Sequence, residues 1–144
     1  MFDAQQKDLV LGIVGTGLMG RGIAQIAALA GIEVRLYDSR EGAAQDAAKA
    51  LQSTFDMLVG KGRLADDDAI TAANRLQPLT SPSEMAGCHC VIEAIVENLD
   101  AKKTLFASLE EIVDKDCVLA SNTSSLSISA IAAGCRHPER VAGL

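Results

Sequence analysis

An α/β fold, a doubly wound and mainly parallel sheet, is what this 144-residue sequence predicts. Three observations carry the prediction. Short apolar runs alternate along the chain with stretches of helical spacing. The runs are apolar at consecutive positions, as strands covered on both faces must be. The first run also leads through a glycine-rich loop and a helical stretch into the second, within the length of one βαβ unit.

"LVLGIV" (9–14) reads as the first strand. The following helix, 18–30, has apolar residues at 23, 26, 27 and 30, and Gly31 ends it as a residue at ease in left-handed backbone. "EVRLYD" (33–38) is the second strand. From about Glu41 to Val59 a long helical pattern lines up Ala44, Ala47, Ala48, Leu51, Phe55 and Leu58. The charged "GKGRLADDD" (60–68) interrupts it before a shorter helix near 67–74, so the pair predicts a protruding helical hairpin rather than a plain crossover. "RLQPLT" leads into a third edge segment, broken by Pro78 and Pro82. "CVIEAI" (90–95) is a strand, and Asn98 caps a helix to about Val113 with Leu99, Leu105, Leu109 and Ile112 on its inner side. "CVLAS" (117–121) is a strand, "SISAIAAG" (127–134) a short helix, and "RVAGL" (140–144) a last strand. The sequence has no internal repeat.

Hydrophobic residues make up 49% and aromatics only 3%, so the core is built from Ala, Leu, Ile and Val. Few aromatics and a net charge of −6 without a basic block argue against a nucleic-acid partner. An anionic ligand would have to be held by backbone amides or a few placed cations. No apolar run reaches membrane-spanning length, and the polar start "MFDAQQKD" lacks a secretory segment, so no membrane partner and a cytoplasmic location are expected. Cys88 and Cys90 form a lone C-x-C without a second ligand pair. No metal site is expected, and these two, with Cys117 and Cys135, read as small, buried, reduced thiols.

"GIVGTGLMGRGIAQ" (12–25) carries the G-x-G-x-x-G pattern at Gly15, Gly17 and Gly20. The pattern alone is weak, but here it follows a strand and opens a helix. Gly15 serves the turn, Gly17 lies where backbone must approach a pyrophosphate, and Gly20 lets helix and strand pack closely. Leu18 and Met19 lie between them, where the helix start offers free amides and partial positive charge. Asp38 ends the second strand, 18 residues past Gly20, where an acid bonds the adenosine ribose and repels a 2′-phosphate. The fold is therefore Rossmann-type and the expected cofactor NAD rather than NADP, with Arg40 read as a solvated neighbour.

Two further stretches are more specific, "VIEAIVENLDAKKTLFASLE" (91–110) and "ASNTSSLSISAIA" (120–132), followed by "HPERVAGL". With the glycine loop they resemble the L-3-hydroxyacyl-CoA dehydrogenase family, over essentially the whole chain and in order. The resemblance implies NAD-dependent oxidation of a 3-hydroxyacyl-CoA to the 3-ketoacyl-CoA, in fatty-acid β-oxidation or related acyl-CoA metabolism. It implies that Glu97 and Lys102 contact the cofactor and that Ser124 contacts cofactor and substrate. Asn122 is a secondary candidate, and Glu93, an acid inside an apolar strand, has no assigned role. Thr54 and Lys61 match positions that hold the CoA portion on the hairpin, with Arg63 nearby. In the family the catalytic histidine follows "AGL", so it is expected beyond Leu144, with the C-terminal helical domain that completes the substrate pocket and makes the dimer. His89 and His137 fit neither role. Residues 1–144 are thus expected to be an NAD-binding domain that binds cofactor but is catalytically incomplete, its own oligomeric state open. The alternatives are a 3-hydroxyisobutyrate- or 6-phosphogluconate-type dehydrogenase, suggested by "GTGLMG", and a non-catalytic NAD-binding module.

Overall fold

The computed structural model describes residues 3–144; Met1 and Phe2, part of the polar start, lie outside the described residues. Six strands form one sheet: β1 (Val10–Val14), β2 (Glu33–Tyr37), β3 (Leu76–Pro78), β4 (Cys90–Glu93), β5 (Val118–Ser121) and β6 (Val141–Gly143). Their spatial order is β3-β2-β1-β4-β5-β6 and every pairing is parallel. The order reverses direction between β2 and β4, on either side of β1. A crevice opens there at the carboxyl ends of the strands.

Five helices cover the two faces: α1 (Leu18–Leu29), α2 (Ala43–Gly60), α3 (Asp66–Asn74), α4 (Leu99–Ile112) and α5 (Ile128–Ala132). Alternation along each strand sorts the side chains between two cores. Leu11 and Ile13 of β1, Val34 and Leu36 of β2, and Ile92 of β4 point toward α1, α2 and α3, meeting Ala24, Ala28, Leu51, Phe55 and Ala72. Val14, Val91 and Leu119 point the other way, toward Phe106, Leu109 and Ile131 of α4 and α5. Many of the helical contact residues are alanines, which lets α1 lie close to the sheet with few aromatics in the chain. The hairpin of α2 and α3 turns through Gly62, at φ +70°.

The predicted elements are found within a few residues of their expected limits, and two 3-10 turns at Pro82–Met85 and Pro138–Arg140 add to them. Leu99, Leu105, Leu109 and Ile112 face the core from α4 as expected, but two further residues, Lys102 and Phe106, share that face. Lys102, Phe106 and Leu109 are buried there, whereas Leu105 and Ile112 are half-buried. The lysine is buried there because a buried acid meets it. The cysteines also need correction: all four are free, but only Cys88 and Cys117 are buried and Cys90 and Cys135 are half-buried. Desolvation pushes the Cys88 and Cys90 thiols up to about 11 and Cys117 to about 12, which keeps them protonated and inert at neutral pH.

Candidate functional site

The crevice is built around the loop that joins β1 to α1. Gly15 sits at φ +102°, and a Cβ there would lie 2.5 Å from the Ala94 carbonyl oxygen. A Cβ on Gly20 would lie 1.8 Å from the Gly15 carbonyl oxygen. Both glycines are therefore demanded by backbone packing. Gly17 differs, because a Cβ there would meet nothing within 4 Å. Its missing side chain leaves open space above the start of α1. No side chain caps that helix and no acid lies in its first turn. The first helical hydrogen bond runs from Arg21 N to Gly17 O at 3.0 Å, leaving the amides of the first turn unclaimed by the helix. An uncapped helix start beneath an open glycine is a seat for a phosphate group. Leu18 and Met19 stand exposed beside it, 80% and 58% accessible.

On one side of this loop lies a depression of about 440 Å³ lined by Asp38, Arg40, Gln45, Leu79 and Thr80 among others. Asp38 Oδ2 accepts from Thr16 N at 2.9 Å and from Thr16 Oγ1 at 2.8 Å, and Oδ1 accepts from Arg40 N at 2.9 Å. Burial pushes the Asp38 carboxyl up, but the bonds from Arg40 and Thr16 and the Arg40 charge outweigh it and hold it below the ordinary value. The acid is thus ionised and fixed in orientation. Of the roughly four acceptor sites of a carboxylate, three are used, leaving about one on Oδ1 for a hydroxyl. The Arg40 side chain is exposed.

On the other side lies a depression of about 430 Å³ lined by Met19, Ile95, Glu97, Asn122, Thr123 and Ser124, with Leu144 at its edge. Beneath it runs a polar chain that the sequence does not announce. Ser121 Oγ donates to Glu93 Oε1 at 2.5 Å, and Ile95 N donates to Glu93 Oε2 at 2.7 Å. The Lys102 ammonium lies 2.9 Å from Glu93 Oε2 and 2.5 Å from Glu97 Oε1, with Lys102 and Glu93 both 0% exposed. Glu97 Oε2 accepts from Thr123 Oγ1 at 2.6 Å and Ser125 Oγ at 2.8 Å. The bond from Lys102, then those from Thr123 and Ser125, bring the Glu97 carboxyl down to about 2. Burial pushes the Lys102 ammonium down, yet its bonds and charges with Glu97 and Glu93 raise it above its ordinary value. Ser124 lies between the two residues that hold Glu97, is exposed, and lines the depression.

The lowered Glu97 carboxyl gives an acid-stability expectation. A depressed carboxyl stabilises the fold above the ordinary range, and that stability is lost as pH falls from 4.5 toward about 2. Thermal melts of wild type and Glu97→Gln at about pH 5 and about pH 2.5 check this: the wild type loses more stability between the two than the variant does.

The structure sets Gly15, Gly17, Leu18 and Gly20 in the loop, with Asp38 on one side of it and Met19, Glu97 and Ser124 lining the depression on the other. The expected cofactor contact of Lys102 is not seen, because Lys102 is fully enclosed behind Glu97 and lines neither depression. The structure does not bring Thr54 and Lys61 to either depression. Thr54 is half-buried on α2 with its hydroxyl on Ala50 O, and Lys61 caps the end of α2, exposed at the hairpin tip. His89 sits at the opposite end of the sheet, where its Nδ1 accepts from Val10 N at 2.9 Å, and His137 is exposed beside Glu139. Thr16, Glu93, Thr123 and Ser125 are the members of the site that sequence reading left without a role. A glutamate inside the apolar run "VIEAI" was the one signal for the buried network. Among the described residues, no group of three or more His, Cys, Asp or Glu side chains could hold a metal ion, and no helix is long and apolar enough to cross a membrane.

The sequence model of the family described as "3-hydroxyacyl-CoA dehydrogenase, NAD binding domain" matches residues 10–144. The chain belongs to this family. The 3-hydroxyacyl-CoA dehydrogenase NAD-binding domain is thus the frame for the crevice, with NAD its cofactor. The domain is 42% identical over 132 residues to 3-hydroxyadipyl-CoA dehydrogenase of Escherichia coli, covering 92% of this chain and 28% of that protein. It is 37% identical to 3-hydroxybutyryl-CoA dehydrogenase of Mycobacterium tuberculosis, covering 100% of this chain and 50% of that protein. A crystal structure of 3-hydroxybutyryl-CoA dehydrogenase from Escherichia coli superimposes with a TM-score of 0.92 at 40% identity, over 96% of this chain and 29% of that one. The chain therefore spans half the length of these relatives or less. Neither the 3-hydroxyisobutyrate-type alternative nor the non-catalytic module is favoured by these matches. The crevice of this chain fits NAD on its own geometry: an open glycine at an uncapped helix start, and an oriented carboxylate at the end of β2.

Proposed function

We propose that residues 1–144 form the cofactor-holding half of an NAD-dependent dehydrogenase acting on 3-hydroxyacyl-CoA substrates. The observation that carries the reading is the open seat at Gly17 and the start of α1, flanked by Asp38 on one side and the Glu97–Ser124 depression on the other. In this reading Gly15, Gly17, Leu18, Met19 and Gly20 hold the pyrophosphate and Asp38 bonds the adenosine ribose. Glu97 and Ser124 border the nicotinamide end, and Lys102, enclosed behind Glu97, supports that carboxylate from within. Bound NAD supplies the hydride acceptor. The Ser124 hydroxyl, whose neighbours Thr123 and Ser125 are committed to Glu97, is the one positioned to bond the substrate's 3-oxygen.

The proton of the substrate hydroxyl needs a base, and neither histidine of this chain faces the crevice. We assign that base, together with the rest of the acyl pocket and a dimer-forming surface, to a segment outside residues 1–144. Thr54 and Lys61 then meet the CoA portion from the hairpin, a lysine being suited to its phosphates. Four unpaired thiols support a reducing, cytoplasmic setting.

Calorimetric titration tests the reading. The chain binds NAD and binds NADP about 100-fold more weakly or worse, while 3-hydroxybutyryl-CoA added with NAD yields no appreciable NADH. Turnover by this chain alone would contradict the division of labour, and no NAD binding would contradict the reading itself. Asp38→Asn keeps the shape but removes the charge, so the gap between NAD and NADP narrows to about 10-fold or less in the same titration.

A further inference from the structure

We infer that Glu93 is a positioning residue for the nicotinamide half of the cofactor site, acting through Lys102 and Glu97 without touching the cofactor itself. The inference rests on the reading above that NAD occupies the crevice. Glu93 ends β4 with no exposed surface, so its carboxylate must be matched inside the fold. It is matched by three donors from three places: Ser121 at the end of β5, Ile95 in the loop after β4, and Lys102 in the first turn of α4. The Lys102 ammonium is equally enclosed and divides itself between Glu93 and Glu97. Glu97 in turn collects Thr123 and Ser125, the two residues that flank Ser124. One buried charge therefore ties together β4, β5, α4 and the loop that lines the depression. Without Glu93 the buried ammonium has Glu97 as its sole counter-charge. It then draws that carboxylate away from Thr123 and Ser125, and the Ser124 loop loses its anchor.

The Asp38 flank contains no member of this chain of contacts, so the two ends of the cofactor should respond differently. The test is titration of NAD and of AMP, which carries the adenosine half alone, against wild type and Glu93→Gln. In Glu93→Gln the NAD dissociation constant rises about 10-fold while that for AMP stays within about twofold. Ser121→Ala, which removes a single bond to Glu93 and leaves the charge in place, shifts NAD in the same direction by a smaller factor and leaves AMP alone. Should Glu93→Gln fail to give a cooperative melt, Ser121→Ala decides the matter by the same ratio. Equal weakening of NAD and AMP would show a purely structural role and overturn the inference, as would no change in either. If the wild-type chain binds neither ligand, the NAD reading falls rather than the role of Glu93.

Discussion

Gly20→Ala is expected to remove NAD binding and to destabilise the fold by about 3 kcal/mol or more. The added Cβ would lie 1.8 Å from the Gly15 carbonyl oxygen, so something must move. The atom that the Cβ meets is backbone, which cannot swing aside as the end of a flexible side chain would. Helix α1 would have to lift off the end of β1, carrying the phosphate seat with it. Gly17→Ala is the matched contrast. Its Cβ meets no protein atom within 4 Å, so the melt should stay within ~0.5 kcal/mol of wild type. The methyl group would stand in the space meant for the pyrophosphate, and NAD affinity should fall about 10-fold or more. Urea unfolding paired with NAD titration of both variants separates the two outcomes. Loss of stability in Gly17→Ala, or retained binding in Gly20→Ala, would contradict the assignment.

Lys102→Met is the second large effect. It leaves the Glu93 carboxylate enclosed with its cation removed, and breaking a buried pair this way costs about 3–5 kcal/mol. The double variant Glu93→Leu/Lys102→Met removes both charges from the interior and should recover part of that loss. Urea unfolding of the two singles and the double measures the coupling. Additive losses in the double would mean that Lys102 and Glu93 do not act as a pair.

The centre of the sheet was legible because β1 and most of β4 and β5 are short, continuously apolar runs, which require cover on both faces and so a parallel arrangement; β2, with Glu33 and Arg35, was placed by its distance after the glycine loop and helix. The glycine loop was legible because Gly15 and Gly20 answer to backbone geometry that no other residue satisfies. The inner face of α4 was legible from the spacing of Leu99, Leu105, Leu109 and Ile112, but the lysine on that face was not. Lys102 joins that face only by virtue of Glu93, a partner on another element whose position requires the fold. The same limit hid Thr16, whose two bonds to Asp38 cross from one loop to another. It also left "SNTSS" undivided, since nothing local distinguishes the residues bound to Glu97 from the exposed Ser124 between them.

The central claim is that NAD lies across the crevice from Asp38 to Ser124, over the start of α1. Amide chemical-shift mapping of the chain titrated with NAD tests it most directly. Shifts are expected at Gly15–Gly20, at Asp38–Arg40 and at Glu97 with Asn122–Ser124. The opposite end of the sheet, around Gly87–His89 and Asp114–Cys117, should stay silent. Shifts concentrated at that opposite end, or none at the glycine loop, would contradict it.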